Sequence, residues 1–416
     1  MQYGCIGEHL AHSFSKEIHE ALAPYTYDLL ELSRDALTSF FSAREFRAIN
    51  VTIPYKEAVL PYLDEVDAHA REIGAVNTVV NRDGKLYGYN TDFYGMCALL
   101  THAGICPKGK KAAILGTGGT AKTALAVLSH LGARQILTVS RTPVGEQVGY
   151  RALREQHADT EIIINTTPVG MYPDTDAVPL DLSDFPMLCA LVDAIYNPLR
   201  TNLVLDAKAR GIRAEGGLYM LVAQAVRASE LFLGMKYSEQ TTEALYRDIL
   251  AKKENLVLIG MPSCGKSTTG RLLAERLSRP FLDTDTVFLE KYGISAEQYI
   301  RTYGEDAFRD EESTVCALLS KETGCVIACG GGVVLRDENM RALSRSGTVV
   351  FLDRPLDLLC ATADRPLSAD REALAMRYRE RIASYRAYAD ITVEGAHTPS
   401  ETTEIIINEI GQRISK

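Results

Sequence analysis

Nothing in this sequence provides the surplus of positive charge that a nucleic acid or an anionic membrane demands. The formal net charge is -9 and the isoelectric point is near 5.5, so anionic ligands must be met by local sites rather than by a basic face. C-x-x-C spacing is also absent. Nine cysteines, an odd number, fit reduced thiols in a cytoplasmic protein rather than a disulfide framework or a zinc site, and Cys325 and Cys329 read as core strand residues. The N-terminus has no basic stretch leading into an apolar one, and no apolar run approaches the roughly 18 residues of a membrane span. The expectation is a soluble, cytoplasmic protein without nucleic-acid or membrane partners. With 416 residues and an apolar share of 46%, the chain has core enough for about two to three domains.

The strongest positive signal is Gly260 to Ser267, read Gly-Met-Pro-Ser-Cys-Gly-Lys-Ser, directly behind the apolar run Leu256 to Ile259. In the spacing G-x-x-x-x-G-K-S, amides of a glycine-rich turn converge on an anion and the following helix, expected from Thr268 to Leu277, adds its positive end. Lys266 and Ser267 then reach phosphate and magnesium. Ser263, Cys264, Gly265, Lys266, Ser267 and Thr268 are thus the candidate ATP-binding residues. A glycine turn that merely precedes Lys-Ser is the bland alternative. Such a loop follows the first strand of its domain, so the segment before residue 254 must be a separate machine.

That earlier segment holds a second glycine loop. Lys111 to Leu115 reads as a buried strand, followed by Gly116-Thr117-Gly118-Gly119-Thr120-Ala121 and a helix through Leu131. This is the G-x-G-x-x-A dinucleotide fingerprint: the glycines give a tight turn and close approach to a pyrophosphate, and Ala121 lets helix and strand pack. The next strand, Gln135 to Val139, runs into Ser140-Arg141-Thr142 with no acid. An arginine there suits the 2'-phosphate of NADP, where a carboxylate would bind the ribose of NAD; a surface arginine after a strand is the alternative. A strand at Glu161–Asn165, ending in Thr166-Thr167-Pro168, and another at Leu191–Pro198 also end in polar or proline residues. After Glu215-Gly216-Gly217 comes a long apolar helix, Leu218 to Leu233, interrupted by Gln224, which serves either a core hydrogen bond or a ligand. A second helix is expected from Lys236 to Lys253. The join at Lys252-Lys253-Glu254 is short and not Pro/Gly-rich, which argues against a floppy tether.

In residues 1 to 102, Ser13, Ser15, Thr52, Lys56, Asn77 and Asp92 all stand at expected element ends, where loops carry function. Each alone is ordinary: the two serines could cap the helix Lys16 to Leu22. As a set they suit a polyhydroxylated acid. Past residue 254, Pro280–Asp285 reads as a strand ending in two acids, one for a magnesium shell and one for a proton. Arg309 and Glu312 follow a helix start, Gly330-Gly331-Gly332 ends a strand and would let a ligand approach backbone amides, and Arg365, Arg381 and Tyr385 come later. Arginines from separate segments suit phosphate and carboxylate charge, although each could be a solvated surface residue.

The first half resembles shikimate dehydrogenase: S-x-S near the N-terminus, N-V-T-x-P-x-K, G-A-x-N-T, N-T-D, the glycine loop, N-T-T-P-x-G and G-x-x-M-L-x-x-Q occur in order over residues 1 to 250. The resemblance implies that Ser13, Ser15 and Tyr196 hold a substrate carboxylate. It also implies that Thr52, Lys56, Asn77, Asp92 and Gln224 bind ring oxygens, that Gly217 lies by the nicotinamide, and that Lys56 is the acid beside the reduced carbonyl, supported by Asp92. Two departures stand out. Lys16 replaces the usual proline, and Pro143 to Thr160 is short, so that a helix and a strand of the nucleotide domain are expected to be trimmed. The second half resembles shikimate kinase, with D-T-D, G-E-x-x-F-R-x-x-E, G-G-G, R-P-L and R-x-x-x-Y in family order. That implies shikimate contacts from Asp285, Arg309, Gly331 and Arg381, ATP-phosphate contacts from Lys266 and Arg365, and magnesium at Ser267 and Asp283. Here Asp353 to Asp364 lacks the arginine usually set over the adenine.

The expected fold is α/β throughout: an α/β substrate domain over residues 1–102, completed by helices in 218–250; a Rossmann-like NADP domain over 103–217; and a P-loop kinase domain with a parallel sheet over 254–416. The halves explain each other, because shikimate made by one is used by the other. The resemblance implies NADPH-dependent reduction of 3-dehydroshikimate and MgATP-dependent phosphorylation of shikimate. A quinate dehydrogenase fused to a small-polyol kinase, and a catalytically silent shikimate sensor, are the alternatives.

Overall fold

The computed structural model describes residues 1–10, 14–238, 240–359, 371–395 and 397–415. The chain divides into two compact units, Met1–Ile249 and Leu250–Lys416.

The first unit contains two sheets. Strands β1 (Tyr3–Gly7), β2 (Tyr27–Glu31), β3 (Ala48–Val51), β4 (Glu65–Val66), β5 (Thr78–Arg82) and β6 (Lys85–Tyr89) form a mixed sheet in the order β2-β1-β3-β5-β6-β4, with β5 antiparallel to β3 and to β6. The turn between β5 and β6 is Asp83-Gly84, both at positive φ, the geometry that a tight hairpin requires. Asn90 then caps the helix Thr91–His102 by accepting from the Phe93 amide. Asp92 therefore sits in the first turn of a helix.

The second sheet is wholly parallel: β7 (Lys111–Leu115), β8 (Gln135–Ser140), β9 (Val148–Gly149), β10 (Ile162–Asn165), β11 (Ala190–Asp193) and β12 (Arg213–Glu215), in the order β12-β11-β10-β7-β8-β9. The strand order reverses between β7 and β10, and ligands of doubly wound sheets bind outside the carboxyl ends at such a point. β7 and β10 are buried on both faces, which explains their continuous apolar runs. β9 and the helix Tyr150–Gln156 occupy the segment expected to be trimmed; both elements are short, and both are present.

The helix Leu218–Leu233 is buried nearly all round and packs along Thr91–His102 and Ser15–Leu22, returning the chain to the first sheet. Gly95 permits this approach, since a Cβ there would lie 2.7 Å from the Met220 carbonyl oxygen. The next helix begins at Gln240, later than the Lys236 expected, and the unit boundary falls inside it. At the N-terminus, Ser15 is the first helical residue and the Phe14 cap position makes no side-chain capping bond.

The second unit is a five-stranded parallel sheet of β13 (Asn255–Ile259), β14 (Phe281–Asp283), β15 (Val326–Ala328), β16 (Gly347–Asp353) and β17 (Ile391–Glu394), ordered β14-β15-β13-β16-β17. β13 is central and fully buried, so the loop that leaves its carboxyl end opens between β15 and β16. Among the described residues, no helix is long and apolar enough to cross a membrane.

Candidate active sites

In the first unit a cavity of about 470 Å³ is lined by Ser15, Thr52, Lys56, Asn77, Asp92, Tyr196, Gly217 and Gln224. Seven of these are the described members of the expected substrate set, and Gly217 is the residue expected by the nicotinamide; Ser13 lies outside the described residues. Lys56 follows β3, and its Nζ lies 2.5 Å from Asp92 Oδ2. Asn77 is fixed by its oxygen, which accepts the Thr91 amide at 2.7 Å; its amide nitrogen is the end left for the cavity. Gln224 lines the cavity, and its Nε2 donates to the Leu221 carbonyl at 2.8 Å. Burial raises the Tyr196 phenol, so Tyr196 is a neutral donor near pH 7.

A second cavity of about 580 Å³ shares Ile53 and Lys56 with the first and is bounded by Gly118 and Gly119. The residues there fit a dinucleotide pyrophosphate. Gly118 caps the helix Gly119–His130 without any side-chain bond, so the first helical amides keep their donors for an anion. A Cβ at Gly118 or Gly119 would meet nothing within 4 Å, whereas Gly116, at φ +111°, turns tightly against Thr166. Thr117, Thr120 and Ala121 complete the loop, and Thr120 also reaches the first cavity. Ser140 ends β8 and Arg141 and Thr142 follow it; Arg141 is exposed and makes no ion pair among the described residues. Lys122 Nζ meets Glu57 Oε1 at 2.6 Å across the two lobes of this unit.

In the second unit a cavity of about 240 Å³ is lined by Ser263, Gly265, Lys266, Ser267, Thr268, Asp283, Asp285, Gly330 and Gly331, together with Cys329. Gly265 caps the helix Lys266–Leu277 with no side-chain bond, again leaving helical amides for phosphate. Lys266 is buried and donates to the carbonyls of Gly260 (2.8 Å) and Met261 (2.9 Å). Ser267 Oγ donates to Asp283 Oδ2 at 2.7 Å. That hydroxyl–carboxylate pair suits magnesium, which takes few protein ligands beside phosphate oxygens and water. Cys264 does not line the cavity, and its amide bonds to the Met261 carbonyl.

Arg309 and Arg381 are buried and are not among the residues that line this cavity. Arg309 donates to Glu312 (2.7 Å) and Glu305 (2.8 Å), and Arg381 to the Gly331 carbonyl (2.9 Å), which also accepts the Tyr385 hydroxyl. Burial raises Glu312 above the usual carboxylate range, against the pull of Arg309. The glycine triplet has a local reason beyond ligand approach: added Cβ atoms would press Gly330 on Glu312 and Asp285, Gly331 on Pro262 and Gly332 on the Arg309 guanidinium. Arg365 lies outside the described residues.

Several lining residues carried no motif signal of their own: His9, Ile53 and Met171 on the first cavity, and Cys329, read as plain core, on the kinase cavity. Asn50 also lines the first cavity and was assigned no role, although it opens the N-V-T-x-P-x-K motif.

Fold and sites together define a two-site α/β enzyme, a dinucleotide oxidoreductase followed by a P-loop phosphotransferase. The family model for the shikimate dehydrogenase substrate-binding domain matches residues 5–79, and that for shikimate kinase matches residues 262–414. A shikimate dehydrogenase (NADP(+)) of Clostridium perfringens is 37% identical over 267 residues, covering 59% of this chain and 97% of the relative. A Thermus thermophilus shikimate 5-dehydrogenase solved with NADP(H) and shikimate is 32% identical, covering 60% of this chain and 99% of that one with a TM-score of 0.54. A chorismate mutase/shikimate 5-dehydrogenase fusion from Clostridium acetobutylicum is 33% identical, covers 59% and 96%, and gives a TM-score of 0.57. Over its N-terminal part the chain belongs to the shikimate dehydrogenase family, and its C-terminal part is a shikimate kinase domain.

Proposed function

We propose that this chain is a bifunctional enzyme that reduces 3-dehydroshikimate to shikimate with NADPH and phosphorylates shikimate with MgATP. The observation that supports the reading most directly is the assembly of Lys56, Asp92, Asn77, Thr52, Ser15, Tyr196 and Gln224 around one cavity beside the glycine loop, in a chain that also carries a phosphate loop.

NADPH, when bound, supplies hydride. As negative charge grows on the substrate carbonyl oxygen, Lys56 gives it a proton, and Asp92 holds the ammonium in position at 2.5 Å. Ser15 and Tyr196, with Ser13, take the carboxylate through neutral hydroxyls. Thr52, Asn77 and Gln224 take the ring oxygens. Arg141, with Ser140 and Thr142, meets the 2'-phosphate, and Gly217 leaves room for the nicotinamide.

In the second unit MgATP supplies the phosphoryl group. Lys266 exchanges its two loop carbonyls for phosphate oxygens, joined by Arg365. Ser267 and Asp283 hold magnesium, and Asp285 accepts the proton of the attacking hydroxyl. Arg309 and Arg381 supply charge for the shikimate carboxylate, and Gly331 offers backbone.

A coupled assay tests the whole reading. With 3-dehydroshikimate, NADPH and MgATP, phosphorylated product should form only when both nucleotides are present. Product from NADH in preference to NADPH would favour the quinate-type alternative, and binding of shikimate without turnover would favour the silent sensor.

A further inference from the structure

A buried polar chain runs from the back of the first sheet to the wall of the reductase cavity, and none of its inner members has been given a role above. Tyr27, fully buried on β2, donates from its hydroxyl to Asn50 Oδ1 at 2.6 Å. The Asn50 amide nitrogen donates to the Asn77 carbonyl at 3.2 Å and to Thr78 Oγ1 at 3.1 Å. Thr78 passes its proton to Asn77 Oδ1 at 3.1 Å and lies 3.2 Å from Thr91 Oγ1. Asn77 Oδ1 also takes the amide of Thr91, the residue before Asp92.

The donor count fixes the direction of the links from Tyr27 to Thr78. Tyr27 has one proton, and it enters the Asn50 oxygen. Both Asn50 N–H groups are then committed forward, so the Thr78 hydroxyl must accept from Asn50 and donate onward. The Asn77 oxygen takes that proton beside the Thr91 amide, which can only donate and so turns the Asn77 N–H groups toward the cavity. Stacking of the His19 ring on Tyr27, 4.2 Å between centroids and 7° between planes, holds the first member in place.

We propose that Tyr27, acting through Asn50 and Thr78, is a positioning residue for the reduction: it steadies Asn77 at the substrate and anchors the helical turn that carries Asp92. This rests on the reductase reading above. Without the Tyr27 hydroxyl, the buried Asn50 oxygen loses its donor, and the chain that holds Thr78 and Asn77 in place is loosened.

The test uses the full-length enzyme with Tyr27→Phe, which removes one oxygen, and Thr78→Val, which is isosteric and cuts the chain one link later. Each should raise KM for 3-dehydroshikimate roughly 5-fold or more, the worth of about one buried hydrogen bond, with KM for NADPH and the kinase activity unchanged. The double variant should be no worse than the poorer single one, because both break the same chain. An unchanged substrate KM in either variant, additive losses, or a parallel rise in both KM values would overturn the proposal. Should Tyr27→Phe fail to fold, Thr78→Val alone decides by the same KM split. Absence of wild-type reduction would count against the reductase reading instead, so the two failures are distinguishable.

Discussion

Lys56 and Asp92 meet at 2.5 Å although they come from different elements, one from the loop after β3 and the other from the first turn of Thr91–His102. Both are largely shielded, with side-chain exposures of 21% and 14%. The ammonium is thereby held by one carboxylate oxygen at the cavity wall instead of sweeping through solvent.

Lys56→Ala should cut the rate of 3-dehydroshikimate reduction by about 10²- to 10⁴-fold, the usual yield of a positioned general acid. Asp92→Asn, which keeps shape but removes charge, should cost less. Kinase turnover of the same preparations should match wild type, since the phosphate loop belongs to the other compact unit. A parallel loss of both activities would contradict two separate sites.

The converse substitution is Lys266→Met, which keeps most of the side-chain volume. It removes the donor now shared by the Gly260 and Met261 carbonyls and with it the cation for the transferred phosphate. Shikimate phosphorylation should fall by roughly 10²-fold or more, while NADPH oxidation with 3-dehydroshikimate is unchanged. Stopped-time product analysis alongside an absorbance assay reads both.

The motif residues of both sites were legible because each stands where an element ends, and spacing from a glycine or proline fixes that place. Lys56, Asn77, Lys266 and Asp283 are of this kind. Burial was not legible. Arg309 and Arg381 carry charge that suggests exposure, yet both are buried, one on Glu312 and the other on the Gly331 carbonyl. Asn50 and Thr78 carry no charge and lie inside apolar strands, so only the cross-strand register of β3 with β5 reveals that they touch. The helix Tyr150–Gln156 lies in Pro143 to Thr160, expected to be trimmed because that segment is short; seven residues still suffice for about two turns.

Stability of the first unit should respond to pH through two buried groups of opposite sign. Burial raises Asp193 from 3.8 to about 6, against hydrogen bonds from Thr201, Ile195 and Asn165. Its contribution is fully present below pH 3.8 and is lost as pH rises through about 6. Burial lowers His19 from 6.5 to about 3, so its contribution is present above pH 6.5 and is lost as pH falls. Asp193→Asn keeps the shape and cannot ionise. It should stabilise this unit by on the order of 2 kcal/mol at pH 7.5 and by almost nothing at pH 4. Urea midpoints for the transition that NADP⁺ shifts, taken at several pH values, give the difference; a gain that does not shrink on acidification would show that Asp193 is not the titrating group.

Gly332→Ala isolates the role of Arg309 in the kinase. Gly332 has ordinary dihedrals, φ -102° and ψ -7°, so alanine brings no backbone strain; the conflict is one of space. The added methyl would fall on the Arg309 guanidinium, and Arg309 is held on both sides by Glu312 and Glu305. Something must give, and the guanidinium, at the far end of a flexible side chain, can move more readily than the backbone around Gly331. Crowding of this kind costs about 1–3 kcal/mol of stability. If Arg309 supplies charge to the shikimate carboxylate, KM for shikimate in the kinase reaction should rise at least about 10-fold, the scale of a lost charge-assisted hydrogen bond. KM for MgATP should stay near wild type, because Lys266, Ser267 and Asp283 do not touch Arg309. Arg309→Lys should show the same split without the crowding. An unchanged shikimate KM in both variants would leave Arg309 as a structural partner of Glu312 and nothing more.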